Sequence, residues 1–151
     1  MTTAPTIPFQ KFLEQADSGD IILWTGSSKE SFIVELLSES VFSHASMVIV
    51  DPTSGHKYLY QSVSEALASD PLSKQEITAH DGVQAGDLQT VMTIIKDRYV
   101  DMPTYRRMVW PNRPTDWHQQ VWDMARTLDG IRFPANMGEL ALLLINGRFD
   151  N

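Results

Sequence analysis

The chain has 151 residues and a net charge of −7, a size that suits one domain burying roughly two-thirds of its unfolded surface. The acidic balance argues against a nucleic-acid partner, which calls for a basic face, and against an electrostatic hold on anionic lipid. There is no cysteine, so disulfides and thiolate metal sites are excluded.

Met1 to Pro8 offers no basic n-region and no continuous apolar h-region, so no secretion signal is expected. The longest apolar run, Leu140 to Ile145, is far too short to span a bilayer. A cytoplasmic location follows by default. Residues 1–6 read as a disordered lead-in. Ile7 to Ala16 predicts a short helix with Phe9, Phe12 and Leu13 inward, ended by the Ser18-Gly19 turn. Ile21 to Trp24 is an apolar run bounded by turn residues, which predicts a buried strand.

Ser27 and Glu30 have capping-box spacing, and Phe32, Ile33, Leu36 and Leu37 fall on one face of the helix they would open. Ser43 to Val50 is β-branched and predicts a strand. Asp51-Pro52-Thr53-Ser54-Gly55 is a turn, and Lys57 to Val63 is the hairpin partner. Residues 64–82 are polar without periodicity and read as loop, followed by a short strand at Val83 to Ala85. Asp87 is placed to cap a helix carrying Leu88, Val91, Met92, Ile95 and Tyr99. Thr104 to Trp110 predicts a strand closed by Pro111-Asn112-Arg113-Pro114. Thr115 or Asp116 then caps a helix with Trp117, Val121, Met124, Ala125 and Leu128 inward, and Gly130 sits where a C′ glycine belongs. Asn136 and Glu139 repeat the capping-box spacing for a last helix, Met137 to Ile145. With no repeat and no linker, residues 1–151 read as one α+β domain, an antiparallel sheet with packed helices.

The residue that bears most on chemistry is His44. On a strand it points with Ser46 and Val48, opposite to Met47 and Ile49. On the partner strand Leu59, Gln61 and Val63 share a face, so pairing about the 51–55 turn brings Gln61 beside His44. The amide oxygen of Gln61 would then accept from one imidazole N–H and set the tautomer, leaving the other nitrogen to act as base. Taken from the residues alone, both side chains also fit a plainer description: a hydrogen-bonded, partly buried histidine and a glutamine on an exposed sheet face. Ser43, Ser46 and Ser62 lie near His44, but no Gly-x-Ser-x-Gly elbow accompanies them. His44, His56, His80 and His118 are scattered without metal-ligand spacing, so no metal site is expected. Thr25-Gly26-Ser27-Ser28 reads as a helix start rather than a phosphate loop, and Arg106 and Arg107 as surface charges on opposite strand faces.

The order of these elements resembles the circularly permuted branch of the NlpC-type papain-like superfamily, which includes lecithin retinol acyltransferase-like proteins. The likeness rests on Gly19-Asp20 opening a strand, a capped helix, and Ser43-His44 followed by a small residue and aliphatics. Tyr60-Gln61-Ser62, Tyr105-Arg106-Arg107 and Leu128-Asp129-Gly130-Ile131-Arg132-Phe133 extend it from about residue 19 to about 134. The resemblance implies a permuted papain-like fold, His44 as catalytic base or acid, Gln61 as the group that orients it, and Ser43, Ser46 and Tyr60 as substrate contacts. It implies no cofactor. The substrate would be a peptide or an acyl-containing molecule, cleaved at an amide or ester bond through an acyl-enzyme. Many relatives carry a carboxylate at the third position, and glutamine cannot stabilise imidazolium by charge.

The departure from the pattern is the nucleophile. The family's cysteine opens a late helix, and this chain has none. Either the chain stops short of that helix, or Asn136-Met137-Gly138-Glu139-Leu140 occupies its place with Met137 at the thiol position. In both cases the expected product is a domain inactive as it stands, and a non-catalytic binding or scaffold module using the same cleft is the alternative.

Overall fold

The computed structural model describes residues 6–63, 71–72, 82–95, 103–131 and 139, without the side chains of Glu30 and Ile95. Most of the predicted 64–82 loop, the helix position of Tyr99, and the Asn136–Ile145 segment apart from Glu139, Met137 included, lie outside them.

Among the described residues the fold is α+β: a five-stranded antiparallel sheet and four helices. Phe9–Gln15 forms α1, Ile21–Trp24 β1, Lys29–Ser38 α2, His44–Val50 β2 and Lys57–Val63 β3. Gly82–Asp87 forms β4, Leu88–Ile95 α3, Thr104–Arg106 β5 and Trp117–Leu128 α4. The strand order is β4-β3-β2-β1-β5. No helix among the described residues is long and apolar enough to cross a membrane.

The two-residue period of the strands divides the sheet into two buried faces. On one, Ile22, Trp24, Val48 and Leu59 meet Phe12 and Ala16 of the α1 region and Leu88, Val91 and Met92 of α3. On the other, Ile49, Tyr60 and Ala85 meet Val121 and Ala125 of α4, with Trp117 and Trp122 partly buried against them. Burying one aliphatic side chain contributes roughly 1.5–3 kcal/mol, so these two clusters fix which face each strand residue takes. A one-residue slip would exchange them.

The β2–β3 hairpin matches the sequence pattern. Val50 pairs with Lys57 and Met47 with Tyr60. Its turn is held by the Asp51 carboxylate, which accepts from Thr53 N (2.8 Å) and Ser54 Oγ (2.6 Å). Asp87 caps α3 as expected, accepting from Thr90 N at 2.7 Å.

Helical periodicity was less reliable in naming what is covered. In α1, Phe12 is buried and Leu13 packs against the core, but Phe9 is 44% exposed. In α2, Phe32 and Leu36 are exposed at 63% and 64%, because no core cluster meets that stripe. The cap of α2 is Ser28, accepting from Ser31 N, one residue later than the Ser27–Glu30 pattern suggested. In α4, Val121 and Ala125 face the sheet while Met124 and Leu128 lie on its rim.

The predicted Thr104–Trp110 strand is cut to three residues, and the cause is Asp20. Its carboxylate takes the Met108 N–H at 2.7 Å and so draws that residue out of the ladder. The same carboxylate accepts from Tyr105 Oη and from Asp17 N, and Asp20 is fully buried. Gly19 beside it has φ +91°, a conformation that favours glycine, and a Cβ there would also push against Met108 Sδ at 2.8 Å. The Gly19-Asp20 pair thus anchors the segment after β5 to the start of β1.

Candidate functional site

Register places the candidate residues before any side chain is considered. Trp24 pairs with His44 and Ile22 with Ser46. Carried one step beyond Met47↔Tyr60, the hairpin sets Ser46 opposite Gln61, and Gln61 pairs in turn with Gln84. Ser46, Gln61 and Gln84 therefore form one row across β2, β3 and β4, with His44 diagonal to Gln61 on the same face. All three row members are buried, at 2%, 4% and 1% exposure. The next row inward on that face, Val48 and Leu59, is apolar.

His44 Nε2 lies 2.8 Å from Gln61 Oε1. Ser46 Oγ donates to the same oxygen at 3.0 Å, and Trp24 Nε1 donates to Ser46 Oγ at 3.1 Å. An amide oxygen only accepts, so both the imidazole and the hydroxyl donate to it, and Nδ1 holds the lone pair of the neutral ring. Burial pushes the His44 pKa below its ordinary 6.5, partly offset by the Gln61 bond. A depressed histidine pKa keeps the ring neutral near pH 7, the form in which it acts as a base. The Gln61 Nε2 group is buried with no partner among the described residues, a condition that costs roughly 1–3 kcal/mol.

The other predicted contacts sort differently. Ser46 belongs to the network but is sealed below the surface and committed at both its oxygen and its hydrogen. At 2% exposure it presents almost no surface to solvent. Ser43 accepts from Gly26 N at 2.8 Å and ties the start of α2 to the foot of β2. Tyr60 points to the opposite face of the sheet, where its hydroxyl donates to the Ala125 carbonyl of α4 at 3.3 Å. Strand alternation alone separates Tyr60 from Gln61, so the Tyr60-Gln61-Ser62 motif does not act as one patch.

Two members went unforeseen. The apolar run Ile21–Trp24 predicts a buried Trp24, and only the β1–β2 register reveals that its indole N–H meets Ser46. Gln84, within Val83-Gln84-Ala85, carried the same signal as Gln61: a lone amide in a strand. Among the described residues no group of three or more His, Asp or Glu is arranged to hold a metal ion.

No known protein-family model matches the chain, and no curated protein matches it.

Proposed function

We propose that His44 and Gln61 are the base and its orienting partner in a permuted papain-like site of the cysteine hydrolase or acyltransferase type. Such a site acts on amide or ester bonds of a peptide or acyl-containing substrate. The observation that carries this reading is the 2.8 Å bond between His44 Nε2 and Gln61 Oε1 on adjacent strands. In a base–orienter pair the partner fixes which nitrogen bears the proton, and the opposite nitrogen takes a proton from the nucleophile. The 151-residue chain supplies the base and the orienter without a thiol, so it does not form a thioester by itself. That same absence favours a second reading, in which the site holds a peptide or acyl ligand without turnover.

The two readings separate on introduction of a thiol at Met137, its position in one of the two alternatives that the resemblance leaves open. Met137→Cys is expected to give iodoacetamide-sensitive hydrolysis of a p-nitrophenyl ester. The rate should fall roughly 100-fold or more when His44→Ala is added, the size of a general-base contribution. Equal rates in the presence and absence of His44 would show that His44 serves no nucleophile at position 137 and would favour the binding module.

A further inference from the structure

The contact between His44 and Gln61 does not orient itself. A carboxamide turned by 180° about its last bond would present N–H2 to the imidazole, and the ring would then have to carry its proton on Nδ1. From the hydrogen bonds of this network we infer that Trp24 and Ser46 are positioning residues: a relay that holds the Gln61 oxygen towards His44 and so locks the imidazole as the Nε2–H tautomer.

The direction of the relay follows from what each group is able to do. An indole N–H only donates. By giving its proton to Ser46 Oγ at 3.1 Å, Trp24 occupies one lone pair and points the serine hydrogen elsewhere. The acceptor 3.0 Å away is Gln61 Oε1. That oxygen therefore receives two protons, from Ser46 and from His44, and Gln61 Nε2 is the member of this network left buried without a partner among the described residues. Turned over, the amide would satisfy its N–H2 against Ser46 Oγ and the imidazole. It would also leave two groups stranded: the buried Ser46 hydrogen and the Gln61 oxygen. One orphan is better than two, and this difference selects the orientation. Trp24 is 1% exposed and Ser46 2%, so water does not compete for the bonds. The consequence for proton transfer rests on the base–orienter reading above, whereas the tautomer itself rests on the hydrogen bonds alone.

Long-range ¹H–¹⁵N correlation spectra of the full 151-residue chain, labelled in histidine and recorded above pH 7.5, test the relay. Wild type should show a pyrrole-type shift at His44 Nε2 and a pyridine-type shift at Nδ1. One tautomer should be in at least about tenfold excess, the ratio that a single orphaned buried group carries. Ser46→Ala removes the donor that separates the two amide orientations, and both His44 nitrogens should move to intermediate, averaged shifts. Trp24→Phe should move them the same way by less, with a cooperative thermal transition confirming that each variant is folded. A wild-type ring protonated at Nδ1 would overturn the assignment, and a Ser46→Ala spectrum identical to wild type would overturn the relay. Loss of the hydrolase-type reading in the Met137→Cys assay would leave these shifts unchanged, so the two failures are distinguishable.

Discussion

Asp20→Ala is expected to lower folding stability by about 3–4 kcal/mol, a large share of the roughly 5–15 kcal/mol of a typical domain. Asp20 is fully buried, and its carboxylate accepts from Tyr105 Oη, Met108 N and Asp17 N. Removing it strands those donors and releases the segment that leads from β5 to Arg113, whose guanidinium pairs with Asp17. Asp20→Asn keeps one acceptor oxygen and should lose about half as much. The phenol reports on the same bond. Burial first, and then the Asp20 hydrogen bond, hold the Tyr105 pKa far above its ordinary 10.0. In Asp20→Asn the phenol should ionise at a lower pH than in wild type. Urea unfolding followed by tryptophan fluorescence measures the stability and ultraviolet titration the phenol. A loss under 1 kcal/mol for Asp20→Ala would show that the carboxylate is not the anchor of this end of the sheet.

Gln61→Glu should invert the pH dependence contributed by His44. In wild type the folded-state pKa of His44 lies below its ordinary 6.5. The unfolded chain then binds the proton more tightly. Stability from this group is present above pH 6.5 and is lost as pH falls through the folded-state value. A carboxylate in place of the amide puts a negative charge against Nε2 at the end of a 2.8 Å contact. An opposite charge at that range raises a pKa by roughly 1–3 units, and the inversion follows when that rise exceeds the depression imposed by burial. The contribution would then be present below pH 6.5 and disappear as pH rises through the new folded-state value. NMR titration of the His44 ring should show the upward shift, and unfolding free energies between pH 5 and 8 should change slope. An unshifted titration would mean that the side chain at position 61 does not face the imidazole.

The parts of this fold that were legible in advance are those where period and turn chemistry agree. β1, β2 and β3 fall within one residue of the expected bounds, because a short apolar run and a hairpin about Asp51–Gly55 leave little freedom. That agreement is what brought Gln61 to His44. The failures have separate physical causes. Periodicity marks the apolar stripe of α2 but does not say whether anything covers it, and Phe32 and Leu36 are open. Adjacent serines compete for one cap, and Ser28 takes it from Ser27. The strand after Thr104 is shortened by a carboxylate 88 positions away in sequence, which no local pattern contains. Tyr60 is adjacent to Gln61 in sequence, yet the pleat sends it to the opposite face. Trp24 and Gln84 enter the site row only through pairing register, and register is a tertiary fact.

Direct detection of the hydrogen bond between His44 and Gln61 bears most closely on the proposed site. An imidazole Nε2–H held by a buried amide oxygen should be a downfield, slowly exchanging proton with nuclear Overhauser contacts to the Gln61 side chain, and Gln61→Ala should abolish it. A His44 ring proton that exchanges at the solvent rate, in a ring titrating at its ordinary 6.5, would contradict the pairing on which the proposed site depends.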